Sequence, residues 1–313
     1  MSKWRSVFLD AETLGLDSLD TRALNQLNLS LTCYQQTSEA NLLARIADAD
    51  IILVNKVQLE GASLCHAPHL KYIGVTATGT NNIDLEYCKT NGIRVQNVEG
   101  YGTDSVAQHT LMLLLNLATN FSQYQRDIKA GRWSKSPHFC LSQYDVMELA
   151  GKHAVIVGHG DLGKRVEGLF KALGMQVSIA ARPGNPNDTR PSLNTLLPKA
   201  DVVSLHCPLT RDTEKLINRD TLSLMKPTCF LINTARGGLI DETALVTALN
   251  EGQIAGAALD TLSVEPPPAD HPLLQLDLPN LLITPHSAWS AIEARQRLVQ
   301  IAAERLQAFI EAD

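Results

Sequence analysis

The sequence predicts an α/β chain built from two parallel-sheet domains. Three observations predict it. Short apolar runs alternate with helical patterns through about the first 100 residues; a glycine-rich turn with an apolar run before it and an amphipathic stretch after it lies near residue 158; and a second alternation of the same kind runs on to residue 284. Such alternation makes a parallel sheet covered by helices. A length of 313 residues is long for a single core and suits two domains.

In the first domain, residues 7–9, 29–32, 51–54, 72–75 and 93–95 read as strands. Residues 40–47, with apolar Leu42, Leu43 and Ile46, and residues 83–90, ending at Asn91-Gly92, read as helices. A break follows at Glu99-Gly100-Tyr101-Gly102. A long helical run then starts at Thr103 and extends to about Ala130, with Val106, Leu111, Leu113, Leu114 and Leu117 crowding its faces. A helix apolar nearly all round is buried, between domains or against a partner subunit.

The second domain opens on Ala154-Val155-Ile156-Val157, four apolar residues that read as a buried parallel strand. Gly158, Gly160 and Gly163 then fit G-x-G-x-x-G, with Asp161 and Leu162 inside the motif, and Leu162, Val166, Leu169, Phe170 and Leu173 follow at helical spacing. The first glycine allows a tight turn, the second lets backbone approach a pyrophosphate, and the third lets the helix pack on the strand. The helix N-terminus supplies N–H groups and partial positive charge. Alone, the motif also fits an ordinary strand-to-helix turn; between a strand and a helix it points to a dinucleotide. Strands at 177–181, 202–206, 229–233, 255–260 and 281–284, with helices at 192–200 and 242–250, complete a doubly wound sheet, Rossmann-like or flavodoxin-like. A last helix, 291–310, lies beyond the final strand.

Composition narrows the function. Hydrophobic residues at 44% and charged residues at 19% describe an ordinary globular protein. A net charge of −6 gives no basic footprint for nucleic acid or an anionic membrane. The apolar stretch 111–118 is far too short to span a bilayer, and no signal-peptide core comes after Met1-Ser2-Lys3-Trp4-Arg5. The six cysteines are scattered without a C-x-x-C pair, which predicts free thiols, a cytoplasmic setting and no metal site. Cys65, His66 and His69 flank Pro68 in a loop-like stretch and read as no ligand set.

In open α/β sheets ligands bind beyond the carboxyl ends of the strands. Three ionisable residues fall there: Arg236 after 231–235, Glu265 after 259–264 and His286 after 283–285. Each alone has a plain explanation as a turn, loop or helix-start residue. Together, beside a dinucleotide fingerprint, they suggest catalysis.

The constellation resembles the D-2-hydroxyacid dehydrogenase family. The carrying motifs are residues 158–163, His206-Cys207-Pro208-Leu209-Thr210, Asn233-Thr234-Ala235-Arg236-Gly237-Gly238, Ser263-Val264-Glu265-Pro266-Pro267 and Thr284-Pro285-His286-Ser287-Ala288-Trp289. The resemblance spans nearly the whole chain, and five ordered motifs make it specific. Residues 77–84, 101–109 and 265–274 look like the glycerate dehydrogenase (hydroxypyruvate reductase) branch.

The resemblance implies a hydride exchange between a nicotinamide cofactor and a small 2-oxo acid, such as hydroxypyruvate or glyoxylate. It implies a catalytic trio of Arg236, Glu265 and His286. His286 would protonate the carbonyl oxygen, Glu265 would hold its ring, and Arg236 would orient the acid with its planar fork. Backbone N–H groups of Thr78 and Gly79 would cradle the substrate carboxylate. Residues 206–208 and 234–235 would line the cofactor, with Arg236 and His286 at its reactive end. Asp260 would meet the nicotinamide carboxamide. Lys56, after the third strand, is either a surface lysine or a substrate-binding cation. The expected organisation is a discontinuous substrate domain, 1–99 plus 288–313, and a cofactor domain, 100–287, with a cleft between them and a two-fold dimer contact along the 103–130 helix.

Cofactor choice rests on the residue at the end of the cofactor domain's second strand. An acid there selects NAD. Here the position is Ala181, with Arg182 next to it. A small residue and a cation accept a 2′-phosphate, so NADP is favoured; NAD is the alternative, with Arg182 stacked on adenine. Two other functions fit the same fold: a phosphoglycerate dehydrogenase, for which no cation cluster stands out, and a dinucleotide-sensing corepressor-like module.

Overall fold

The structure, a computed structural model, describes residues 4–276 and 278–312. The chain forms two compact units. One runs through Gly102 and takes up the chain again from Ser290; the other is Thr103–Trp289.

The first unit contains β1 (Trp4–Phe8), β2 (Leu29–Cys33), β3 (Ile51–Val54), β4 (Tyr72–Val75) and β5 (Arg94–Gln96), in the order β2-β1-β3-β4-β5. All four pairings are parallel, with Val7 opposite Ile52 and Ile52 opposite Ile73. Strands β3 and β4 are buried along their whole length, which is why both read as unbroken apolar runs. β1 starts three residues before the run at 7–9, because Trp4 and Ser6 are buried while Arg5 points outward to Asp50. Helices span Glu39–Ile46 and Leu85–Thr90. Asp84 caps the second by accepting from the Tyr87 N–H at 2.9 Å. The closing helix, Ile292–Ala312, sets Phe309 against the rings of Trp4 (5.6 Å) and Tyr72 (4.7 Å).

The second unit contains β6 (His153–Val157), β7 (Gln176–Ile179), β8 (Val202–Leu205), β9 (Phe230–Asn233), β10 (Gly256–Leu259) and β11 (Leu281–Ile283). Their order is β11-β10-β9-β8-β6-β7, all parallel. Strand period two divides the core. Val155, Val157, Val203, Leu205, Leu231 and Leu259 face one cluster with Leu245 and Leu249 of the Glu242–Asn250 helix. Ala154, Ile156, Ile232 and Ala258 face another with Leu113, Leu114, Val166 and Phe170. The latter four belong to the Thr103–Thr119 and Asp161–Ala172 helices. The order reverses between β6 and β8, and a ligand crevice is expected beyond that point.

One sequence expectation is corrected here. Residues 103–130 are not a single helix but two, Thr103–Thr119 and Phe121–Lys129. The break is Asn120, at φ 53°, a left-handed conformation that asparagine tolerates. Its side-chain amide donates to the Asp145 carbonyl at 2.8 Å, and Asn116 accepts the Ser122 N–H at 3.1 Å. Local polar bonds thus win over an apolar pattern that continues through the break.

Candidate active site

The glycine turn sits at the end of β6. Gly158 has φ 97°, and a β-carbon there would lie 2.5 Å from the carbonyl carbon and oxygen of His206, just past β8. A β-carbon on Gly163 would lie 2.1 Å from the Gly158 carbonyl oxygen. One on Gly160 would meet nothing within 4 Å. Two glycines are therefore demanded by packing, and the middle one leaves open space at the N-terminus of the Asp161–Ala172 helix. First-turn N–H groups of a helix lack internal acceptors, so this opening suits the pyrophosphate of a dinucleotide. His159 turns away to Glu167 (2.6 Å), which also pairs with Lys171 (2.7 Å). Lys171 and His159 hold the Glu167 carboxyl below its ordinary range.

Beyond β7, Ala180 is buried and Arg182 is exposed, with no ion-pair partner among the described residues. The adjoining loop is closed by Asp188. It accepts the Arg182 N–H at 2.7 Å and pairs with the Arg190 guanidinium at 2.5 Å, which drives its carboxyl far below the usual range. No acid takes the place next to Arg182 at the strand end. Beyond β8, the His206 N–H donates to Val157 at 2.7 Å, and its ring Nε2 meets Ser204 Oγ at 2.8 Å. Burial pushes the imidazole down to about 3 and raises the Cys207 thiol to about 11, so neither carries charge near neutrality.

The adjacent strands β9, β10 and β11 each lead into one of the three ionisable residues. Past β9, Asn233 Oδ1 accepts the Ala235 N–H (3.0 Å) and its amide donates to the Arg236 carbonyl (2.8 Å), fixing the turn. Thr234 is buried, its hydroxyl 2.9 Å from that of Thr110. Past β10, Glu265 Oε1 accepts the Leu262 N–H at 2.9 Å. Past β11, His286 Nδ1 lies 2.6 Å from Glu265 Oε2. The pair is about one-third exposed, at 27% and 34%. With Nδ1 committed to Glu265, Nε2 is the ring nitrogen that could exchange a proton with a ligand.

Asp260, just past β10, is almost wholly buried, with its side chain 1% exposed. It accepts the N–H groups of Ser287 and Ala288, both at 2.9 Å, and the Thr284 hydroxyl at 2.5 Å. Sequence patterns single out neither Thr284 nor His109, two of its neighbours. Both lie inside longer motifs, and nothing in a helical pattern tells which strand end a given turn will meet.

In the first unit, Lys56 follows β3 and is exposed, its N–H held by Asp10 Oδ2 at 2.6 Å. Thr78 follows β4; its hydroxyl donates to the Val98 carbonyl at 3.1 Å. The backbone N–H groups of Thr78 and Gly79 meet no acceptor among the described residues.

Residues 111–288 match the model of the D-isomer specific 2-hydroxyacid dehydrogenase, NAD binding domain. The chain belongs to this family. Glycerate dehydrogenase of Methylorubrum extorquens is 38% identical over 305 residues, 97% of this chain and 95% of the relative. Hydroxypyruvate reductase of Blautia hydrogenotrophica is 36% identical over 313 residues, 97% of this chain and 96% of the relative. Among solved structures, the NADPH-dependent glyoxylate/hydroxypyruvate reductase of Sinorhizobium meliloti, in complex with NADP and malonate, superposes with a TM-score of 0.81 at 27% identity, covering 99% and 94% of the two chains. D-Lactate dehydrogenase of Aquifex aeolicus, with NAD and lactic acid, gives 0.83 at 29% identity, covering 98% and 96%. As a D-2-hydroxyacid dehydrogenase the chain is an oxidoreductase acting on a CH–OH group with NAD or NADP. No helix among the described residues is long and apolar enough to cross a membrane.

Proposed function

We propose that this dehydrogenase reduces hydroxypyruvate or glyoxylate to the D-2-hydroxy acid, with NADPH preferred over NADH. The observation that carries the catalytic reading is the Glu265–His286 pair, which leaves one imidazole nitrogen uncommitted at a strand end. When bound, the nicotinamide supplies the hydride. His286 Nε2 holds the proton that the carbonyl oxygen receives, and takes it back in the reverse direction. Glu265 keeps the ring oriented, its carboxylate 2.6 Å from Nδ1. Arg236 orients the 2-oxo acid through carboxylate and keto oxygens. Thr78 and Gly79 bind the carboxylate through their unpaired N–H groups, and Lys56 serves the distal hydroxyl.

Gly158, Gly160, Asp161, Leu162 and Gly163 would hold the pyrophosphate, the open space at Gly160 providing the room. Ala181 and Arg182 would take the 2′-phosphate. Residues His206, Cys207, Pro208, Thr234 and Ala235 would line the rest of the dinucleotide, and Asp260 would stand at its nicotinamide end. The names of the two relatives support the substrate. The preference for NADP rests on Ala181-Arg182; NAD remains the alternative, because the Aquifex neighbour carries it. Met112, Leu115, Phe121 and Ile128 are exposed apolar residues on the 103–119 and 121–129 helices and support a homodimer contact there. The six unpaired cysteines fit the cytoplasm.

The test is a steady-state panel of hydroxypyruvate, glyoxylate, pyruvate and 3-phosphohydroxypyruvate with each reduced cofactor. Highest kcat/KM on hydroxypyruvate or glyoxylate with NADPH is expected. A preference for the phosphorylated acid would move the protein to the phosphoglycerate dehydrogenases, which also match the chain. Activity with no acid would leave the dinucleotide-sensing reading.

A further inference from the structure

We propose that His109 is a positioning residue for His286, acting through Thr284 and Asp260. The inference rests on His286 being the proton carrier. His286 itself stands at φ 51°, a left-handed backbone that non-glycine residues rarely hold without support. Most of the support comes from Asp260, beside the Thr284 carbonyl, which accepts the same His286 N–H at 2.9 Å, and the Trp289 Nε1–H, which donates to the His286 carbonyl at 2.9 Å. The Asp260 carbonyl accepts the His286 N–H at 2.8 Å, and its carboxylate accepts the next two N–H groups, of Ser287 and Ala288, at 2.9 Å each. Three consecutive backbone donors around the catalytic imidazole therefore converge on Asp260.

Asp260 is in turn held from behind. The Thr284 hydroxyl donates to Oδ1 at 2.5 Å. That hydroxyl oxygen then accepts from His109 Nε2 at 3.0 Å, and the same nitrogen lies 3.4 Å from Asp260 Oδ1. His109 comes from the Thr103–Thr119 helix, whose next residue, Thr110, bonds Thr234 past β9. One turn of helix thus reaches two strand ends. Burial lowers the His109 pKa against the opposing pull of Asp260, so the ring is neutral, and its single proton is the one on Nε2. The chain of donors runs in one direction: His109 Nε2–H to Thr284, Thr284 O–H to Asp260. Without the first donor, the Thr284 hydroxyl can turn away, and the charge holding the His286 turn loses its fixed geometry.

The experiment compares His109→Leu with His109→Gln, whose amide nitrogen can occupy the place of Nε2, and Thr284→Val with Thr284→Ser. Each is measured for kcat, KM of both substrates, cofactor Kd by fluorescence titration, and Tm. Loss of the donor is expected to lower kcat roughly 10-fold, the equivalent of one buried hydrogen bond in the transition state. Cofactor Kd should stay within about twofold. The glutamine and serine variants should restore kcat. Wild-type kcat in His109→Leu, or equal loss of kcat in the leucine and glutamine variants, overturns the proposal. His286→Asn is run alongside: if it turns over normally, the reading of His286 fails instead, independently of His109.

Discussion

Glu265 Oε2 lies 2.6 Å from His286 Nδ1, although the two are 21 residues apart and leave different strands. The contact depends on β10 and β11 being neighbours, with Leu259 opposite Ile283. In the proposed reaction Nδ1 carries a proton toward the carboxylate, and Nε2 is the nitrogen that serves the substrate. Replacing Glu265 by Gln keeps an acceptor but removes the charge that compensates the imidazolium. We expect kcat to fall about 10–100-fold in Glu265→Gln and about 10²–10⁴-fold in His286→Ala. Fluorescence titration should show NADPH binding retained in both. Wild-type turnover in Glu265→Gln would return that residue to the role of a solvated loop acid.

The three fingerprint glycines should separate into two classes. Gly158→Ala places a β-carbon 2.5 Å from the His206 carbonyl on a backbone at φ 97°, and Gly163→Ala places one 2.1 Å from Gly158 O. Both should lose about 2–5 kcal/mol by denaturant unfolding, from overpacking and strain. Gly160→Ala meets nothing, so its stability should change by no more than about 0.5 kcal/mol while its NADPH Kd rises at least about 10-fold. Unchanged NADPH affinity in Gly160→Ala would mean the opening is not the phosphate seat.

Much of this arrangement is legible in the sequence because it lies on buried parallel strands and on glycines. Residues 51–54 and 154–157 are apolar on both faces, and their ends locate the residues beyond them. The start of β1 is hidden because Ser6, a polar residue, occupies a buried position. The helix break at Asn120 is hidden because the decisive bonds, to Asp145 and Ser122, come from side-chain amides that carry no periodicity. The His109–Thr284–Asp260 chain lies beyond sequence reading for another reason. His109 and Thr284 are 175 residues apart, and only tertiary packing sets which side chains meet.

Arg182 has no ionic partner among the described residues, whereas Arg190, eight positions later, is held by Asp188. The two arginines should therefore differ in effect. A charge-assisted contact to a 2′-phosphate is worth about 1.5–3 kcal/mol. Arg182→Ser should thus lower kcat/KM for NADPH about 10–100-fold and leave NADH within about threefold. Arg190→Ser should lower thermal stability by freeing Asp188, with a smaller effect on the NADPH/NADH ratio. A ratio that Arg182→Ser leaves unmoved would turn the assignment toward NAD.

His206 makes the protein's acid stability testable. Its pKa falls from an ordinary 6.5 to about 3, because burial disfavours the charged ring. An unfolded chain takes up a proton near 6.5, whereas the folded ring stays neutral until about 3. Between those values the unfolded state binds more protons, so stability rises with pH there. The contribution is full above 6.5 and is lost progressively as pH falls, at up to about 1.4 kcal/mol per pH unit for one proton. His206→Gln removes this titration and can keep a bond to Ser204, which lies 2.8 Å from the ring. The part-buried His109, whose pKa is also lowered by burial, titrates with the same sign in both proteins and cancels in the comparison. Unfolding free energy measured from pH 7.5 down to 5 at constant ionic strength should therefore fall less steeply in His206→Gln. Parallel slopes would mean that the native His206 ring takes up its proton as readily as the unfolded one, and that water reaches the end of β8.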